Sequence, residues 1–226
     1  MNPVELLTAL GSLVIIDLVL SGDNALVIGL AAHRLPPAQR RLAIVLGGAG
    51  AVALRAVLSA ATTLLFLIPA LRLVGGVLLA WIAFKLLKQE EEAEEGVAAA
   101  ASLWEAMRTI IVADFIMSLD NVLAIGGAAH GNVPLLVFGL LLSMGLVLFA
   151  GGVFAELVNR CWWLAYLGAA VICYTAGQMI LEDDLVHPYL ADLPWLMYVG
   201  PLMVVLLVVP AAHWFHRHRP SRSAAL

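Results

Sequence analysis

The sequence predicts an all-α integral membrane protein of about seven transmembrane helices, arranged as two inverted three-helix repeats plus one extra C-terminal helix. Three observations predict it. The first is composition: 63% of the 226 residues are hydrophobic, 12% are charged and the mean hydropathy is +0.99, far outside the range of soluble domains. The second is spacing, because apolar runs of about 20 residues recur, the length a helix needs to cross a hydrocarbon layer about 30 Å thick. The third is a seventeen-residue segment that occurs twice, 97 positions apart.

Taken in order, the apolar runs place spans at about 6–31, 42–68, 71–88, 106–129, 134–157, 161–181 and 195–215. The first begins after Glu5 with no Lys or Arg in front and contains Asp17 and Asp23. That is a poor signal peptide and suits a functional helix. Residues 1–88 form the first repeat, 89–104 an acidic cytoplasmic linker and 105–183 the second repeat. The unpaired seventh helix (195–215) and a basic cytoplasmic tail (216–226) complete a single membrane domain, 1–226. Cys161 and Cys173 fall on one predicted helix about 18 Å apart along its axis, too far to bridge within it.

Positive charges sort by alternate connections. Arg34, Arg40, Arg41, Lys85, Lys88, Arg108, Arg160, Arg217, Arg219 and Arg222 all fall on one side, Arg72 falls on the other, and Arg55 lies inside the second span. By the positive-inside rule the amino terminus is outside and the carboxyl terminus cytoplasmic. The connection with Glu182, Asp183, Asp184 and Asp192 is then external.

The duplicated segment reads DLVLSGDNALVIGLAAH from Asp17 to His33 and DFIMSLDNVLAIGGAAH from Asp114 to His130, with ten identities in seventeen positions. Apolar composition alone does not repeat Asp, Ser, Asp, Asn and His in register. A fainter match sets Leu71, Gly75 and Trp81 opposite Leu164, Gly168 and Tyr174. Three spans per unit is an odd number, so the second copy enters the membrane upside down. Such repeats place equivalent elements about a pseudo-twofold axis in the membrane plane, the architecture of alternating access.

Asp17, Asp23, Asp114 and Asp120 need a reason to lie in apolar helices, since each Asp near the bilayer centre costs about 2.5–3.5 kcal/mol on insertion scales. Together with Ser21, Asn24, Ser118 and Asn121 they are the candidate metal ligands. At about 100° per residue Asp17, Ser21 and Asn24 share a helix face, whereas Asp23 lies about 120° from Asp17. Either Asp23 faces a different neighbour or the helix breaks around Ser21–Gly22, and the break is preferred because Gly relaxes the backbone. The second copy has Leu119 in place of Gly22, so the glycine is not shared.

The donors are carboxylate, amide and hydroxyl oxygens, with no Cys or His inside either Asp-x3-Ser-x-Asp-Asn core. Oxygen donors suit manganese, magnesium or calcium and disfavour copper(I) and zinc. Arg55 is a counter-ion to these aspartates or a partner released when metal binds. Crowded carboxylates can also trade a divalent ion for protons. Asp17 and Asp114 are the expected proton carriers, and Asp23 and Asp120, each beside an Asn, the direct ligands. His33 and His130 lie about 15 Å further along, outside that coordination sphere. Both are expected at the interface. The run Glu90, Glu91, Glu92, Glu94, Glu95 is expected as a solvated linker, and His213, His216 and His218 as part of a basic flank.

The paired motif in a chain of about seven spans resembles the TerC family of integral membrane proteins, and within it the small YjbE-type candidates for metal transport. The likeness covers about residues 5–182, leaving helix seven and the tail outside. It implies manganese(II) homeostasis, chiefly export across a bacterial inner membrane. The family's older link to tellurium is set aside, because tellurite is an anion and an aspartate cluster repels it. The expected partners are a divalent ion and the lipid bilayer, with no nucleic acid and no permanently bound cofactor; the oligomeric state is not specified by the sequence.

Two alternatives have other outputs. A membrane accessory protein that supplies or senses metal for exported proteins would carry the same site. An intramembrane aspartate enzyme is disfavoured: the protease pattern Gly-x-Gly-Asp is absent, with Leu20-Ser21-Gly22-Asp23 and Met117-Ser118-Leu119-Asp120 in its place. A phosphatidyltransferase would gather its aspartates in one cluster instead of dividing them between halves.

Overall fold

The computed structural model describes residues 10–11, 14–15, 21–65, 68–94, 102–128, 133–190 and 193–217. These form eight helices and no strand: α1 (Gly22–Ala32), α2 (Pro37–Leu65), α3 (Leu71–Glu94), α4 (Leu103–Ala128), α5 (Val133–Arg160), α6 (Trp163–Leu181), α7 (His187–Leu190) and α8 (Leu196–Arg217). Among the described residues, Leu141–Arg160, Trp163–Leu181 and Leu196–Trp214 are long and apolar enough to cross a bilayer. Their outer faces are what lipid demands, with Phe149, Leu206 and Leu207 mostly exposed on a chain whose polar groups turn inward.

Inside, small residues replace large ones. Ala32, Ala43, Ala51, Ala83, Ala113, Ala155, Ala169 and Ala176 are fully buried, letting backbones approach where no hydrophobic drive operates between helices. Gly76 shows how close: a Cβ there would lie 2.6 Å from the Ala176 carbonyl oxygen. On Gly29 a Cβ would lie 3.1 Å from both Ala155 N and Gly151 O, so α1 seats directly on the α5 backbone.

These contacts also fix the helix directions. Ile28 packs on Gly151 and the His33 carbonyl accepts from Asn159 Nδ2, so α1 and α5 run the same way. Gly47 meets Ile110 and Arg55 meets Asp114, so α2 and α4 also run together. By contrast α3 and α6 are antiparallel, because Gly76 meets Ala176 and the Leu73 N–H donates to Asp183 Oδ2 at 2.9 Å. Helix α8 lies against α6 and α3, with Pro201 filling the notch at Gly177; its prolines, 201 and 210, cost backbone donors that a neighbouring helix tolerates.

Of the first span, residues 10–11, 14–15 and 21 onward lie within the described residues, and α1 begins at Gly22. One difference from the sequence reading stands out. Helix α3 runs past Lys88 to Glu94, so the first residues assigned to the acidic linker are helical, and Glu90 is buried. Charged residues continue a helix readily when one of them finds a buried partner, and Glu90 does.

Candidate functional site

Helix α1 starts where the two aspartates required a break. Ser21 takes φ −108° and ψ 12°, outside the helix, and Gly22 opens α1. The Asn24 N–H donates to the Ser21 carbonyl at 3.1 Å and also to Asp23 Oδ1 at 3.0 Å. A carboxylate in the first turn offsets the positive end of the helix dipole. The other oxygen of Asp23, Oδ2, accepts from Thr175 Oγ1 of α6 at 3.0 Å. Helix α1 thus begins at Gly22 and Asp23 faces a neighbour of its own, while Asp17 lies outside the described residues.

The remaining polar side chains meet around Asp114 of α4. Arg55 Nη2 reaches Asp114 Oδ1 at 2.7 Å, Asn24 Nδ2 donates to the same oxygen at 2.9 Å, and Ser118 Oγ donates to Oδ2 at 3.2 Å. Arg55 Nη1 also donates to Ser21 Oγ at 3.3 Å. Four helical segments thus contribute one network: the start of α1, α2, α4 and, through Asp23, α6. Ser21, Asn24, Arg55, Asp114 and Ser118 are all at most 3% exposed. Buried charge of this kind persists only when paired and hydrogen-bonded.

Asn24 Oδ1 is buried without a hydrogen-bond partner, while its amide nitrogen is held by Asp114. Such an atom is worth about 1–3 kcal/mol in lost hydration, so its persistence calls for a ligand. Asp23 precedes it in the same first turn, and the Ser21 hydroxyl and the Arg55 guanidinium belong to the same network.

The two copies are not folded alike. Helix α4 continues unbroken through Ser118, Leu119 and Asp120 to Ala128, as the absence of a glycine at position 119 implies. Asp120 and Asn121 lie on that helix, but their side chains, together with Asp17 and His130, are outside the described residues. Among the described residues no group of three or more His, Cys, Asp and Glu side chains is placed to hold a metal.

Sequence reasoning missed two participants. Thr175 is a lone hydroxyl in an apolar helix and carries no pattern that could have flagged it. Glu90 was hidden in its acidic run. It meets His33, whose Nε2 lies 2.6 Å from Glu90 Oε2. Nearby, Arg34 donates to the Gln89 carbonyl, Gln89 Nε2 donates to Glu105, and Lys85 pairs with Glu105. The Lys85 hydrogen bond, outweighing burial, holds the Glu105 carboxyl below its ordinary range. Its stabilisation is therefore present above the usual carboxylate pKa and is lost as pH falls through the lowered one. Both partners are over a third exposed, so the effect is small.

Comparison with known proteins now decides the family. Residues 3–220 match the model of the integral membrane protein TerC family. The chain belongs to the TerC family. The match extends beyond the 5–182 expected from the motifs, so α8 and the start of the tail are part of the TerC unit. Among TerC relatives, the uncharacterized membrane protein YjbE of Bacillus subtilis is 36% identical over 202 residues, covering 89% of this chain and 92% of that one. The inner membrane protein YgdQ of Escherichia coli K12 is 30% identical over 197 residues, covering 79% and 82%. The uncharacterized membrane protein YceF of Bacillus subtilis is 28% identical over 160 residues, covering 67% and 62%. No solved structure matches this TerC chain.

Proposed function

We propose that this TerC-family chain is a transporter that moves a hard divalent cation, manganese(II), out of the bacterial cytoplasm across the inner membrane. The observation that carries the reading is the unpartnered, buried Asn24 Oδ1 in the first turn of a helix that also carries Asp23. Discontinuous helices supply ion sites in many transporters, and oxygen-only donors select hard cations. The family resemblance supplies manganese; the donors alone supply the class. Asp17, Asp120 and Asn121 are proposed to complete the shell, with Arg55 and Asp114 as the charge-balancing pair beside it.

The helix directions support two inverted repeats within seven spans. Under a twofold that exchanges the halves, the parallel pair α1 and α5 maps onto the parallel pair α4 and α2, and the antiparallel pair α3 and α6 maps onto itself. The amino terminus is then outside and the carboxyl terminus cytoplasmic. A reporter placed after α3 should read cytoplasmic and one after α6 external. Both on one side would remove the inverted arrangement.

Transport itself is tested in sealed proteoliposomes holding purified protein, with manganese, magnesium, calcium and zinc offered in turn. Manganese is expected to cross and zinc to lag far behind. Manganese that binds without crossing would make the chain a metal-supplying accessory protein, and zinc crossing best would overturn the oxygen-ligand reading.

A further inference from the structure

The proton carriers expected from the sequence were Asp17 and Asp114. Asp114 is poorly suited: it accepts hydrogen bonds from Arg55, Asn24 and Ser118, and protonating it would remove the charge that faces a buried guanidinium. A better candidate stands at the other end of α1.

His33 Nδ1 lies 2.8 Å from the Leu30 carbonyl oxygen, which can only accept, so Nδ1 carries a hydrogen. Its Nε2 lies 2.6 Å from Glu90 Oε2. Two lone pairs cannot face each other at that distance, so a second proton sits between ring and carboxylate. The pair therefore holds one proton more than a neutral imidazole beside a free carboxylate. Both side chains are buried, at 5% and 12% exposure, and the ring sits at the negative end of α1.

We propose that His33 and Glu90 form a proton-binding site at the cytoplasmic end of α1, and that it carries the proton exchanged for the cation. The exchange role rests on the transport reading above; the proton site does not. When the shared proton leaves, a neutral imidazole is left facing a carboxylate lone pair to lone pair, and the contact between α1 and α3 opens. When a proton returns, the contact closes. Helix α1 is the link, since it carries Asp23 and Asn24 at one end and the ring at the other.

Arg40 of α2 and Asn159 of α5 both donate to the His33 carbonyl, not to its ring. Arg40 is also paired with Glu156, itself beside Arg160. Arg34 and Gln89 engage each other, and Lys85 engages Glu105 of α4. Helix α6 contributes Tyr166, packed against the cluster containing Leu86 and Leu87, and α8 brings His213 in its last turns. The shared proton thus has a carboxylate of its own, while the nearby arginines are bound elsewhere.

The test has two arms. In the first, full-length protein with nitrogen-15 histidine is titrated and the His33 ring, assigned by its loss in H33Q, is followed by NMR. Glu90→Gln keeps a donor for Nε2 but removes the carboxylate that shares the proton, so the ring should lose the bound proton that wild type carries under the same conditions, and E90D should restore most of it. A ring whose titration is the same in wild type and E90Q overturns the proton site. In the second arm, proteoliposomes loaded with a pH indicator report protons moved per manganese. Wild type and E90D should show counterflow, and E90Q a ratio near zero. Counterflow that persists in E90Q overturns the exchange role, whereas wild type that moves no cation overturns the transport reading and leaves the proton site to be decided by the titration.

Discussion

Arg55→Met is expected to destabilise the purified protein in detergent by roughly 3–5 kcal/mol, the cost of leaving a buried charge without its partner. The guanidinium and the Asp114 carboxylate are 2.7 Å apart and each side chain is 2% exposed. Removing the guanidinium leaves the Asp114 carboxylate in low dielectric without its ion-pair partner. Asp114→Asn should cost a similar amount for the mirrored reason. The double variant R55M/D114N should fall well short of the sum, because neither charge is then left alone, and a coupling of at least about 1 kcal/mol is expected. Equilibrium unfolding of the four proteins is the measurement. Additive costs would show that the two charges do not depend on each other.

Metal binding should respond to different residues. Asn24→Leu removes the unpartnered Oδ1 and also the Nδ2 donor to Asp114, a loss and a gain of about 1–3 kcal/mol each that roughly cancel in stability. Manganese affinity should nonetheless fall by at least 10–100-fold, since even outer-shell changes cost that much. Asp23→Asn should weaken binding at least as far. Thr175→Val, which frees Asp23 from its hydroxyl partner, should have a smaller effect through orientation. Calorimetry with manganese on variants that melt like wild type separates binding from folding. Wild-type affinity in both N24L and D23N would place the ion elsewhere.

Much of this site was legible because intramembrane charge is costly enough to need a purpose. The repeated Asp-x3-Ser-x-Asp-Asn pattern singled out Ser21, Asn24, Asp114 and Ser118, which the structure joins, and an arginine in an apolar run pointed to an aspartate partner. The helix start at Gly22 agrees with the helical geometry, in which two aspartates about 120° apart cannot share a target along one regular helix. What a pattern could not carry was the partner of Asp23. Thr175 is one hydroxyl on α6, distant in sequence, and only packing brings it to α1. Glu90 was obscured differently, since a run of glutamates looks uniform until the fold selects one to bury. The acidic stretch consequently begins as helix, through Glu94.

The brevity of α1 has an electrical consequence. Eleven residues span about 16 Å, roughly half of the hydrocarbon thickness, so in the proposed orientation, with the last turn at the cytoplasmic surface, the first turn would lie near mid-bilayer. An ion held by Asp23 and Asn24 then sits about halfway down the transmembrane voltage. For a divalent cation, half the drop amounts to about 2.3 kcal/mol per 100 mV. On the proposed transport reading, membrane potential would enter the occupancy of the site directly, and an interior-negative cell would hold a cytoplasmic cation back from it by that much.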